Sequence, residues 1–139
     1  MIGGNTFSRT VDILGRAMDA SLERREVIAD NIANSGVPNF KRSYVNFEAE
    51  LGRAIKSEKE RPKLLMARSD ERHFSNYNPR DYRDVKPIRV LDYLTTSKAN
   101  GNNVDAEQEM MDSLENQLAY TLYAQAVNFE FSQVNLVLK

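Results

Sequence analysis

The sequence predicts a mainly α fold: two long terminal helices forming an antiparallel coiled-coil-like pair, with a short helix and an irregular or short-β middle segment. Three observations predict it. Apolar residues recur at helical spacing over the first 35 residues and again over the last 35. Each of these stretches carries helix start or stop signals. The segment between them is broken by Pro62, Pro79 and Pro87 and by polar clusters. The implied organisation is an N-terminal helical zone over 1–36, a variable middle over 37–103 and a C-terminal helical zone over 104–139.

The first helix is expected from about Ser8 to Asn34. Val11, Leu14, Met18, Leu22, Ala29 and Ile32 fall three, four or seven apart, and Ile13, Ala17, Ala20, Val27 and Ile28 widen the stripe. Gly36 is expected to take a left-handed capping position, with Pro38 ending the helix firmly. The length implied is about 40 Å.

In the middle, Asn46 followed by Phe47, Leu51, Ala54 and Ile55 predicts a short capped helix over 46–57. Lys86 to Thr96 (K-P-I-R-V-L-D-Y-L-T-T) holds a candidate strand, and Asn100 to Asn103 (N-G-N-N) reads as a turn. The last helix is expected from Asp105 to Leu138, about 50 Å long. Asp105 is its cap, with Gln108 placed for a capping box. Glu107 and Glu109 bring negative charge to the first turn, where the helix dipole favours it. Met111, Leu114, Leu118 and Leu122 form one stripe. Tyr120, Tyr123, Val127, Phe131, Val134 and Leu138 form another. Two stripes are more apolar surface than one partner helix covers.

Composition narrows the function. With 139 residues the chain fits one domain and a modest core. A net charge of -1 gives no overall bias toward nucleic acid or membrane. There is no cysteine, which excludes disulfides and thiolate zinc sites. Met1 to Thr10 has neither the basic region nor the apolar run of a secretory signal. Leu118 to Leu138 is the stretch nearest to a membrane span. It carries Glu130 and the polar residues Gln125, Asn128, Ser132, Gln133 and Asn135, which suit a protein–protein seam better than lipid.

Charge is uneven. Arg53 to Arg89 holds eleven Lys/Arg and six Asp/Glu, and Val90 to Lys139 holds two and seven. Either each is a solvated face, or the basic middle of one copy meets the acidic end helix of another.

The residues offer no chemistry. His73 stands alone in a polar stretch, and metal sites need convergent ligands. Asp70 with Glu71, and Asp81 with Asp84, lack the enclosed pocket that would separate their pKa values. Gly3-Gly4 belongs to no phosphate-binding pattern. In Asn78 to Arg83 the interleaved aspartates oppose phosphate binding. No catalytic, cofactor or metal residue is expected. What remains is interaction surface: Val11, Leu14, Met18, Leu22 and Ile32 on the first helix, and Met111, Leu114, Leu118, Leu122, Val127, Phe131, Val134 and Leu138 on the last.

Ala29 to Lys41 reads A-D-N-I-A-N-S-G-V-P-N-F-K. It resembles the signature of bacterial flagellar rod and hook proteins, roughly A-x-N-I-A-N-x-x-T-P-G-Y-K. Asn31, Ile32, Ala33, Asn34, Pro38 and Lys41 match and Phe40 is conservative, while Val37 stands for the usual threonine and Asn39 for the usual glycine. Gly101 to Ala119 (G-N-N-V-D-A-E-Q-E-M-M-D-S-L-E-N-Q-L-A) is similar to the proximal-rod branch of that family. The V-N-M-I-x-A-x-R-A-Y ending usual in FlgC is absent. The resemblance implies a non-catalytic subunit of the rod, or drive shaft, of the flagellar basal body, spanning the periplasm. It implies export through the flagellar type III apparatus without a cleaved signal peptide, and terminal helices in an inner coiled-coil layer, often disordered before assembly. Implied partners are further copies of the chain, other rod proteins of the FlgC and FlgF types, the adaptor FliE and the export gate. No cofactor, nucleic acid or small-molecule substrate is implied.

The family's export motif, F-x-x-x-Φ, is matched by Phe47 to Leu51 (F-E-A-E-L), which equally reads as an i, i+4 core pair. Asn31 and Asn34, one turn apart near a helix end, are suited to bond exposed carbonyls or a neighbour's backbone, or to act as ordinary C-terminal caps. An alternative from the residues alone is a non-catalytic binding module whose amphipathic helices capture a partner helix.

Overall fold

The structure, a computed structural model, describes residues 6–60, 64, 66–67, 69–70, 72–74, 77–95 and 98–138. The Gly3-Gly4 pair, Pro62, Glu71 and Thr96 lie outside the described residues. The elements run α1 (Thr6–Ala33), β1 (Ser43–Asn46), α2 (Glu48–Lys59), a 3-10 turn (Tyr82–Asp84), β2 (Ile88–Leu91) and α3 (Ala106–Val137). The fold is mainly helical, with the two long terminal helices packed against each other and a small two-stranded sheet between them in sequence.

Two compact units make up the chain: Met1–Val45 with Pro87–Lys139, and Asn46–Lys86. In the first unit, α1 and α3 run antiparallel. Asn31 meets Glu109, the Ser21 carbonyl meets Asn116, and Phe7 meets Phe131 edge to face at 5.4 Å. The buried side of α1 is Ala20, Ser21, Val27, Ile28 and Asn31, and that of α3 is Glu109 and Asn116. The apolar members come from the stripe that widens the pattern, and Leu22 and Ala29 face outward. The backbone N–H of Asp92, just past β2, donates to the carbonyl of Arg42, just before β1, at 2.9 Å, so the two strands are antiparallel.

In the second unit, α2 and the 3-10 turn are in contact. Its buried apolar side chains are Phe47, Ala54, Tyr82 and Val85. Arg80 ties the segment after α2 back to the helix, through Glu50 at 3.0 Å and the Ser57 hydroxyl at 3.0 Å.

Several local expectations are corrected. The short helix spans Glu48–Lys59 rather than 46–57, and Asn46 does not cap it: Asn46 belongs to β1, and the capping position is Phe47 without a side-chain bond. Asp105 does cap α3, accepting from Glu107 N–H at 3.0 Å. Gln108 does not close a capping box, because its amide reaches forward to Asp112 at 2.8 Å. Gly36 does not adopt the left-handed region. Asn39 does, with φ 61°, as does Gly101, with φ 80°. Asparagine tolerates that region better than most residues, which accounts for Asn39 standing where the flagellar signature has glycine.

Candidate functional site

The chain's polar chemistry converges where α1 ends and α3 begins. Asn31 is fully buried on the last turn of α1. Its Nδ2 donates to the Ser43 carbonyl at 2.8 Å and to Glu109 Oε2 at 3.1 Å, and its Oδ1 accepts from Ser43 N–H at 3.0 Å. One amide thus fixes the start of β1 and the first turn of α3 on α1. Asn34 does the plainer work of a cap, donating to Asp30 O at 2.7 Å.

Glu109 is also fully buried. A lone buried carboxylate would be strongly unfavourable. Here it receives Asn31 and the Arg42 guanidinium, whose other arm reaches Asp112 at 2.6 Å. Burial works against the charged guanidinium, but the bond to Glu109 and the charges of Glu109, Asp112 and Asp92 outweigh it and raise the Arg42 pKa above its ordinary value.

Two more asparagines complete the junction. Asn102 Nδ2 gathers the carbonyls of Asn34, Ser35 and Val37 at 2.9, 3.2 and 2.8 Å, satisfying chain ends that α1 leaves open. Its Oδ1 accepts from Val104 N–H at 2.7 Å. Asn103 accepts from Arg42 N–H at 2.6 Å and donates to Asp92 O at 2.8 Å. Lys41 holds the Gly101 carbonyl at 2.9 Å. The motif residues Asn31, Asn34 and Lys41 therefore bond within the chain, while Pro38 lies exposed in the turn between them. Arg42, Asn102 and Asn103 were not legible as a site. Glu109 showed only its first-turn position.

The second feature is apolar. Met111, Leu114, Leu118 and Leu122 lie on the side of α3 away from α1, and Phe129 and Leu136 continue the line. Leu118 is 58% exposed and Leu122 62%. The other stripe turns inward: Tyr120, Tyr123, Val127 and Val134 are half-buried. Phe131 is still half-exposed beside Phe7, and Leu138 is exposed. On α1, Val11, Leu14, Met18 and Ile32 are half-buried and Leu22 is exposed. The structure thus separates the expected interface residues into a seam inside the chain and a face outside it.

His73 is exposed, with Nδ1 3.3 Å from the Ser69 hydroxyl. Among the described residues no cluster of potential metal ligands occurs, and no helix is long and apolar enough to cross a membrane. Phe47 is buried, and Leu51 N–H donates to its carbonyl at 2.9 Å, so the F-x-x-x-Φ pair sits in the first turn of α2.

Fold and site together define a class: a mainly helical protein whose long terminal helices are clasped by a buried polar junction and keep an apolar face outside the fold. No family model matches the chain. Over 97% of its length it is 44% identical to the flagellar basal body rod protein FlgB of Borrelia hermsii, covering 99% of that relative. It is 42% identical to FlgB of Borreliella burgdorferi over the same shares, and 31% identical to FlgB of Bacillus subtilis over 95% of each chain. The chain belongs to the FlgB family of flagellar basal body rod proteins.

Proposed function

We propose that the chain is a non-catalytic structural subunit of the proximal rod, the drive shaft of the bacterial flagellar basal body, and that it assembles helically through its terminal helices. The observation that carries this reading is the outward apolar line on α3. Six large side chains exposed along one helix form a patch at the upper end of what a solitary soluble protein ordinarily shows. Burying each contributes about 1–2 kcal/mol, enough in sum to drive association once neighbouring copies cover them. The polar junction keeps the start of α3 fixed to α1, so that face is presented in a defined orientation. Neighbours in the rod would be further copies, rod proteins of the FlgC and FlgF types and the adaptor FliE, in a shaft that spans the periplasm.

The export reading also belongs here. Passage through the flagellar type III gate as an unfolded chain would expose Phe47 and Leu51. Burial of Phe47 in the folded state makes this pair readable only before folding.

The test is the double substitution Leu118→Glu with Leu122→Glu. Both side chains are exposed, so expression and helical content are expected to survive while assembly is lost. Normal filaments or motors from this variant would refute the proposal.

A further inference from the structure

Asn100 is the one asparagine of the chain that stands directly before a glycine. Asparagine is thermolabile, and most so in that place, because a neighbour without a Cβ leaves its backbone nitrogen free to swing onto the asparagine side-chain carbonyl. The fold nonetheless needs this pair. Lys98 and Asn102 face each other across a three-residue loop: Lys98 N–H donates to the Asn102 carbonyl at 3.0 Å, and Gly101 N–H to the Lys98 carbonyl at 3.0 Å. Such a loop ends on a residue in the left-handed region, here Gly101 with φ 80°. A Cβ at Gly101 would lie 2.5 Å from Asn39 Oδ1, so a side chain there is strained twice over.

Asn100 is exposed, but both its oxygens are engaged. Its main-chain carbonyl accepts from Asn39 N–H at 3.0 Å, and its Oδ1 accepts from Asn102 N–H at 3.1 Å. The second bond folds the side chain back along its own backbone, so that Cγ and the Gly101 nitrogen belong to one hydrogen-bonded ring. Asn102 in turn gathers the last carbonyls of α1. The loop therefore holds one side of the polar junction in place.

We infer that Asn100 is a self-modification site, converting to aspartyl and iso-aspartyl forms, and that the iso-aspartyl form loosens the polar junction. The Gly101 nitrogen gives its proton to solvent base and attacks Asn100 Cγ. A C–N bond forms, the Cγ–Nδ2 bond breaks, and Nδ2 takes up a proton and leaves as ammonia. Water then opens the cyclic imide at either of its carbonyls. Overall a water is consumed and an ammonia released, with no change of oxidation state. The bond from Gly101 N–H to Lys98 must open first, and in an exposed loop such openings are far more frequent than in a core. Hydrolysis at Cγ restores the main chain and leaves a carboxylate oxygen for Asn102 N–H. Hydrolysis at the main-chain carbonyl routes the chain through Cβ and Cγ and adds a methylene to the loop. Lys98 and Asn102 then lose their register, and Asn102 is drawn off the α1 carbonyls.

The test incubates the full chain in mildly alkaline buffer made with heavy-oxygen water and follows it by peptide mass mapping. An iso-aspartyl-specific carboxyl methyltransferase is the probe for the branched form. Asn100 is expected to take up the heavy oxygen at least ~tenfold faster than any other asparagine. Chains carrying the iso-aspartyl form, separated by chromatography, are expected to melt lower and to exchange the Asn102 and Val104 amides at least ~tenfold faster than the parent. Asn100→Asp adds the charge without the methylene and is expected to melt with the parent. Asn100→Ser keeps an oxygen for Asn102 N–H but cannot form the imide, so it is expected to pass through the incubation with its exchange rates unchanged. An Asn100 that outlasts the other asparagines would overturn the inference. So would iso-aspartyl chains whose Asn102 and Val104 amides exchange as in the parent, or an equal loosening in Asn100→Asp.

Discussion

Arg42→Met is the most demanding test of the polar junction. It removes the guanidinium and leaves Glu109, whose side chain is 0% exposed, with Asn31 as its hydrogen-bond partner. The Arg42–Asp112 arm is partly exposed on both sides and is worth no more than ~1 kcal/mol. The loss therefore comes from Glu109: breaking one side of a buried ion pair typically costs about 3–5 kcal/mol. Against a total stability of roughly 5–15 kcal/mol, that is a large fraction. Glu109→Gln alone removes the buried charge and keeps an oxygen for Arg42, so it should lose less. The double variant Arg42→Met with Glu109→Leu removes both charges and should recover much of the single-variant loss, because an apolar pair of similar volume is often as stable as the ion pair. The assay is urea unfolding followed by far-ultraviolet circular dichroism, with the parent, Arg42→Met, Glu109→Leu and their double variant closing a cycle. A cost below ~1 kcal/mol for Arg42→Met, or a double variant no more stable than it, would show that the junction does not depend on this pair.

Four further outcomes are expected. Asn39→Gly should stabilise the chain by up to ~1 kcal/mol, since glycine takes a φ of 61° without strain. Gly101→Ala should destabilise it by more, because its φ is 80° and the new Cβ would lie 2.5 Å from Asn39 Oδ1; thermal melts decide both. The Asp92 carboxyl is held below its ordinary pKa of 3.8, first by the Thr95 hydroxyl and then by the backbone N–H groups of Thr95 and Leu94 and the charge of Arg42. A depressed carboxylate contributes stability that is present above its unfolded pKa and lost as pH falls through the folded one. The Asp92–Thr95 turn should therefore stay closed through neutral pH and open only below the usual carboxylate range, read by the Asp92 carboxyl shift and the Leu94 amide in an NMR titration. In dilute chain, amide protection should be highest around Val27–Asn31 and Glu109–Asn116. It should fall toward Thr6 and toward Leu138, because no described residue before Ala20 on α1 or after Asn116 on α3 is buried. Uniform protection along both helices in hydrogen exchange would contradict that gradient.

The terminal helices were legible because their signals are local. Seven-residue and three-to-four-residue spacings, the Asp105 cap and the Pro38 stop all act within a few positions of themselves, and α1 and α3 fall within two residues of the expected bounds. What lies between failed where partners are remote. Ser43–Asn46 was hidden as a strand because four residues with a central Tyr-Val have no period to read, and their partner is β2, over forty residues on. Asn46 looked like a helix cap because its side-chain chemistry fits one, but the sheet claimed its backbone. The left-handed position went to Asn39 rather than Gly36 because what fixes the turn is a bond between Asn39 N–H and the Asn100 carbonyl, at 3.0 Å. The junction was invisible for the same reason: Asn31 to Glu109 and Arg42 to Asn103 are contacts across 78 and 61 residues.

The polar junction and the apolar line differ in what they can specify. Hydrogen bonds and ion pairs are directional, so the cluster of Asn31, Arg42, Asn102, Asn103 and Glu109 fixes how α1, β1 and α3 meet at one end. Apolar contact is non-directional and scales with area, so the long outward line of α3 adds nothing to how the helices of one chain meet. A chain that relied on apolar packing throughout would let its two long helices slide, because Leu and Met surfaces tolerate more than one register. A chain stapled by polar bonds throughout would have no surplus surface to share. Placing the polar bonds at the junction and the apolar line along the outer side of α3 lets one set of contacts fix how the helices meet while the other leaves apolar area uncovered by the chain itself.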